Sequence, residues 1–111
     1  PILGNVTGGL SGPAVKPVAL ALVYQVASVV DIPVVGMGGI MTGEDAIEFM
    51  LAGASAVSIG TANFINPRAT ETVAEEMLAY LDEHGYDHIN DIVGTLEVPG
   101  ATCTPKKKCC M

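Results

Sequence analysis

The sequence predicts an α/β fold built on parallel strands, and three observations carry that reading. Short apolar runs rich in valine and isoleucine alternate with longer stretches of helical periodicity. Those runs recur at a spacing of about 20 residues, which leaves room between them for a crossover helix. Each run also stops at glycine just before a helical pattern begins, as at Gly36 and Gly60. Repeated strand–helix units of this kind place consecutive strands side by side and parallel.

The chain has 111 residues, half of them apolar. It begins Pro1-Ile2-Leu3-Gly4 without an initiating Met or a signal-like region, so Ile2-Leu3 is expected to be the end of a strand and the chain a piece of a larger protein. The loop Gly4-Asn5-Val6-Thr7-Gly8-Gly9-Leu10-Ser11-Gly12 holds four glycines in nine positions; such a loop turns sharply and lets a ligand approach its backbone. Asn5 and Thr7 stand where a substrate or a local turn could use them.

Pro17 suits a first helical turn, and Ala19, Leu22, Val23, Val26 and Val29 or Val30 follow as one apolar stripe that Asp31-Ile32-Pro33 ends. Val34-Val35-Gly36 reads as a buried strand. Thr42 with Asp45 forms a capping-box variant, with Glu44 and Asp45 in the first turn of a helix carrying Ile47, Met50 and Leu51 and closed by Gly53. Ala54 to Ile59 is the next strand, and residues 61–65 form a turn of helix. Asn66-Pro67 then starts a helix with the stripe Val73, Ala74, Met77, Leu78 and Leu81, ending near Gly85. A short helical segment follows from His88 to Val93. The division expected is a folded part over residues 1–94 and a mobile tail over 95–111.

Composition excludes several functions. Net charge is −7, and up to residue 70 the only cations are Lys16 and Arg68, so no basic surface exists for nucleic acid or an anionic membrane. No apolar run approaches the roughly 20 residues of a membrane span, and a cytoplasmic protein is the default expectation. Cys103, Cys109 and Cys110 crowd the last nine residues without Cys-x-x-Cys spacing or a neighbouring His, and no metal site is expected. His84 and His88 read as surface or capping groups at a helix end. Lys16 could reach an anion near Ser11-Gly12 or stay solvated. Arg68 is similarly open, and Glu71, Glu75, Glu76, Asp82 and Glu83 read as a wet helix face.

With side-chain cations this scarce, an anion must be held by backbone. Glycine frees N–H groups, and a following helix adds the positive end of its dipole, so Gly38, Gly39, Gly60 and the hydroxyl of Thr61 form a candidate phosphate grip at the carboxyl ends of two strands.

Four ordered motifs then carry a family resemblance. Gly8-Gly9-Leu10-Ser11-Gly12-Pro13-Ala14, the run from Ile32 to Ile40, Ala52-Gly53-Ala54-Ser55-Ala56-Val57 and Gly60-Thr61-Ala62-Asn63-Phe64 resemble the C-terminal part of the class 1B dihydroorotate dehydrogenase catalytic subunit, over about residues 1–93. The resemblance implies the last three or so βα units of an FMN-containing (β/α)8 barrel that oxidises dihydroorotate to orotate in pyrimidine synthesis. It matches Gly12, Gly38, Gly39, Gly60 and Thr61 to main-chain contacts around the FMN phosphate. It also implies a partner subunit carrying FAD and an iron–sulphur cluster that passes electrons to NAD. The family's base is a cysteine on an earlier loop that this sequence does not contain; the three tail cysteines match nothing catalytic, so no catalytic residue is assigned here. Related readings are another FMN or phosphate barrel of the dihydropyrimidine dehydrogenase or dihydrouridine synthase type, and a non-catalytic fragment. A partial barrel exposes apolar edges, so a homo-oligomer or pairing with the missing barrel half is expected.

Overall fold

Two strands form the centre of the molecule, β1 at Val35–Met37 and β2 at Ala56–Ser58, paired in parallel with Val35 opposite Ala56, Gly36 opposite Val57 and Met37 opposite Ser58. The computed structural model describes residues 2–97. A 3-10 turn at Pro13–Val15 leads into helix α1 (Lys16–Val29), and α2 (Gly43–Leu51) makes the crossover between the strands. After β2 come α3 (Ala62–Ile65), α4 (Ala69–His84) and a 3-10 turn at Ile89–Asp91.

Helix α2 is the element most enclosed. Ala46, Ile47, Phe49 and Met50 are all buried, because the strands, α1 and α4 pack around it. Its start follows the sequence chemistry: Thr42 Oγ1 accepts from the Asp45 N–H at 3.2 Å, and Asp45 Oδ2 accepts from the Thr42 N–H at 3.1 Å. Gly53 ends it at φ 112°, a conformation that costs other residues strain. The chain returns to the same end, where Gly94 N–H donates to Met50 O at 3.0 Å and Leu96 N–H to Leu51 O at 3.1 Å, satisfying two of the last helical carbonyls.

The sheet is covered on one face. Gly36 is buried against α2, and a Cβ there would come within 2.7 Å of Phe49 Cδ1, so the bare backbone admits the ring. Val35 and Met37 alternate to the other face and are 58% and 63% exposed. The expectation of a fully buried strand at residues 34–36 is thereby corrected: only Gly36 is buried, since helices lie on a single side. The strand expected at Ile2-Leu3 is absent as well. Those residues are exposed, and Leu3 O accepts from the Val6 N–H in a turn where Val6 has φ 66°. No neighbouring strand among the described residues offers Ile2 or Leu3 a ladder, and extended backbone needs one.

Helix α1 begins one residue earlier than Pro17 and ends where expected, but the stripe assigned to it is partly wrong. Val23 is buried, with Ala19, Leu20 and Tyr24 partly buried against the core, while Leu22, Val26 and Val29 face outward. No residue from Pro17 to Val30 is charged, so the spacing of polar groups could not mark the wet side. In α4, Val73 and Leu81 are buried and Met77 half-buried, whereas Ala74 and Leu78 are exposed. This helix starts at Ala69 instead of Pro67 because Asn66 Oδ1 accepts from the Arg68 N–H at 3.0 Å and holds residues 66–68 in a turn. Gly85, at φ 70°, closes it as expected. Most of the expected tail, with Cys103, Cys109 and Cys110, lies outside the described residues.

Candidate functional site

The loops that leave the two strands, together with the loop that enters α1, enclose an open cleft of about 190 Å³. Gly38 and Gly39 follow β1, Gly60 and Thr61 follow β2, and Gly12 precedes the first 3-10 turn; all five line this cleft. The sequence-predicted residues are therefore brought together at the carboxyl end of the sheet, the side on which ligands of parallel α/β folds sit. Ser11, Met37, Met41 and Ser58 also line it. Ser58, the last strand residue before the Gly60 loop, is opposite Met37, and its polarity there is the sequence signal for a lining position.

The glycines are not equivalent. At Gly38, φ is 123° and a Cβ would lie 2.8 Å from Ala19 Cβ; at Gly39, φ is 75° and a Cβ would meet Gly12 O at 2.7 Å and Lys16 N at 2.9 Å. Both are demanded by the close approach of α1 to the loop, whatever the cleft holds. Gly60 differs. A Cβ there would meet no protein atom within 4 Å, so nothing in the chain itself demands glycine at that lining position. Thr61 side chain makes no capping bond to α3, and the loop and cap hydrogen bonds among the described residues leave the Gly39 and Thr61 amides without an acceptor. Asn63 steadies this loop, its side-chain amide donating to Ile59 O at 2.9 Å while its Oδ1 accepts from Thr70.

Lys16 does not line the cleft. Its ammonium pairs with Asp45 Oδ1 at 2.5 Å and Glu48 Oε2 at 2.9 Å, neither of which sequence reasoning foresaw. The signal was weak, since the partners stand about 30 residues away on another helix. The Asp45 and Glu48 hydrogen bonds raise the Lys16 pKa above its ordinary value. Burial pushes the Asp45 carboxyl up, but the Lys16 ammonium and the amides of Met41 and Thr42 outweigh it, and the net shift is downward. Among the described residues, the cleft thus offers an anion backbone amides and hydroxyls and no free cation.

The remaining candidates lie elsewhere. Asn5 and Thr7 stay in the exposed entry loop, where Thr7 N–H donates to Asn5 O. Arg68 pairs with Glu71 at 2.7 Å. His84 Nδ1 lies 2.9 Å from Tyr80 O and the ring stacks on Tyr80, while His88 accepts from the Asn90 N–H to cap the last 3-10 turn. Glu76 departs from the wet-face reading, since its carboxylate accepts from the Gly43 N–H and so caps α2 from α4.

Comparison with known proteins then identifies the family. A family model described as dihydroorotate dehydrogenase matches residues 1–81. The chain belongs to the dihydroorotate dehydrogenase family. It is 62% identical over 96 residues to the dihydroorotate dehydrogenase B (NAD(+)) catalytic subunit of Alkaliphilus metalliredigens, covering 86% of this chain and 32% of that protein. The same identity holds over 98 residues of the corresponding subunit of Geobacter metallireducens, again over 32% of its length. Among solved structures, DHODH from Eimeria tenella in complex with ferulenol superposes with a TM-score of 0.75 at 33% identity, over 80% of this chain and 24% of that one. The ligand-free Eimeria tenella enzyme gives the same score. The resemblance to the NAD-linked class stands, and the parallel α/β arrangement is part of a (β/α)8 barrel. The chain spans about a third of the length of the curated relatives it matches. Among the described residues, no helix is long and apolar enough to cross a membrane.

Proposed function

We propose that this chain is the part of a dihydroorotate dehydrogenase that holds the FMN phosphate, within a cytoplasmic enzyme that oxidises dihydroorotate to orotate for pyrimidine synthesis. The observation that carries the reading is the convergence of Gly12, Gly38, Gly39, Gly60 and Thr61 on one cleft, with glycine at position 60 where no protein atom requires it. Such a cleft fits a dianion held by main-chain amides, and removal of a Cβ at Gly60 makes room for it. FMN, when bound, supplies the hydride acceptor. The chain's own contribution is to orient and anchor: the amides of Gly39 and Thr61 and the Thr61 hydroxyl would hold the phosphate oxygens, while Lys16 is held outside the cleft by two carboxylates. The proton-accepting group belongs to segments outside this sequence.

Residues 1–94 then form the cofactor-holding unit, and Thr95 and Leu96, expected in the tail, remain bonded to it through Ile92 O and Leu51 O. The naming of the relatives as catalytic subunits of an NAD-linked enzyme supports a separate partner subunit, to which the resemblance gives FAD and an iron–sulphur cluster. The outward Leu22, Val26 and Val29 of α1 and the uncovered Val35 and Met37 of β1 favour association of this segment with the rest of a barrel. They equally favour a second reading for the segment alone, a non-catalytic piece that self-associates.

Gly60→Val tests the phosphate reading. The substitution meets open space, so stability stays within about 0.5 kcal/mol, while the added methyls enter the cleft and FMN affinity, followed by flavin fluorescence, falls at least about tenfold, or about 1.4 kcal/mol. Unchanged FMN affinity in a normally folded Gly60→Val protein overturns the assignment.

A further inference from the structure

Asp45 does more than cap a helix. Its Oδ2 accepts from the N–H groups of Met41, at 2.8 Å, and Thr42, while its Oδ1 takes the Lys16 ammonium from another element. Met41 lines the cleft, and Lys16 is the first residue of α1, its backbone N and Cβ so near the loop that each would lie 2.9 Å from a Cβ at position 39. One carboxylate therefore ties the glycine loop to the start of α1 at the place where Gly12 O leaves no room for a Cβ at position 39. A capping box needs only the Thr42 contacts; the bond to Lys16, 29 positions away, is not explained by capping.

We infer that the Lys16–Asp45 pair is a clamp that sets the position of the Gly38–Met41 loop against α1, so that Lys16 is a positioning residue for the phosphate grip and not the counter-ion of the phosphate. The inference rests on the FMN reading above. Its consequence is a cofactor site that tells FMN from riboflavin by loop geometry under the control of a charge pair beside the cleft. A loop displaced by an ångström loses aligned donors to the phosphate and keeps its apolar contacts to the rest of the ligand.

The test compares FMN with riboflavin, which lacks the phosphate, in the full-length protein. Asp45→Asn keeps an acceptor for the loop amides and removes the ionic bond between the loop's carboxylate and Lys16, leaving only the Lys16–Glu48 pair, which does not touch the loop amides; FMN affinity falls about tenfold, riboflavin affinity is unchanged, and the preserved riboflavin binding reports a folded site. Lys16→Met keeps the alkyl stem against Gly39 and gives the same loss. The double variant loses no more than Lys16→Met alone, since that change already breaks the link to Asp45. Additive losses, or tighter FMN binding in Asp45→Asn as Lys16 is released toward the phosphate, overturn the clamp. Amide exchange gives a reading without flavin: Met41 and Thr42 exchange faster in Lys16→Met if the clamp holds the loop, and an unchanged rate overturns it. Wild-type protein that binds FMN no better than riboflavin overturns the phosphate reading and the clamp's purpose with it, whereas an FMN preference intact in every variant overturns the clamp alone.

Discussion

Helices α1 and α2 are both largely apolar, yet one is enclosed and the other is half bare. In α2, Ala46, Ile47, Phe49 and Met50 are buried because strands on one side and α1 and α4 on the others meet it. In α1 only Val23 is buried, and Leu22, Val26 and Val29 are 55%, 43% and 79% exposed. Intrinsic apolarity is therefore a poor guide to burial here. What decides is whether the chain supplies a neighbour, and for the outer side of α1 the described residues supply none.

The contrast can be broken first at its most enclosed point. Phe49→Ala empties the space between α2 and Gly36 and is expected to cost about 3 to 5 kcal/mol, read from denaturant unfolding. Gly43→Ala comes next. Alanine normally favours a helix over glycine, but a Cβ at Gly43 runs into Glu76, so the expected outcome is a loss of about 1 to 3 kcal/mol. A gain instead would show that α4 is not seated on α2.

The ion pair that links the two helices should show in the pH dependence of unfolding. Asp45 has a folded pKa below its unfolded value, so its contribution is present above the ordinary carboxylate range and is lost as pH falls through the depressed value. Lys16 has a raised pKa; its contribution is complete below about 10.5 and is lost as pH rises through the folded value. The side chains are 15% and 25% exposed, and the expected size is about 1 kcal/mol, absent from Asp45→Asn at the acid end and from Lys16→Met at the alkaline end. The smallest effect belongs to the bare side of α1, where Leu22→Ser is expected to change the stability of this 111-residue chain by less than about 0.5 kcal/mol. A large loss there would mean that the outer face already has a partner, and the oligomeric state would reveal it.

Local chemistry was legible in the sequence where a signal and its consequence lie within a few residues. Thr42 and Asp45 formed the expected box, Gly53 and Gly85 closed their helices, and the glycines after each strand came together at one cleft. Apart from the start of α4, where Asn66 holds a local turn, the failures concern partners distant in sequence. The strand expected at Ile2-Leu3 found no neighbour, the outward turn of Leu22 and Val26 could not be told from the inward turn of Val23 in an uncharged helix, and the Lys16 pair needed the approach of α2 to exist. Even the glycines divided on this line. Gly38 and Gly39 leave no room for a Cβ beside distant residues of the α1 entry, whereas a Cβ at Gly60 would meet no protein atom.

The central claim is a phosphate grip made of backbone with no cation, and one titration reaches it most directly: FMN and riboflavin binding to the full-length protein, each at low and high salt. The account predicts a clear preference for FMN that salt weakens little, since the donors are amides and a hydroxyl in place of exposed charges. Equal affinity for the two flavins, or an FMN preference that collapses as salt rises, would contradict it.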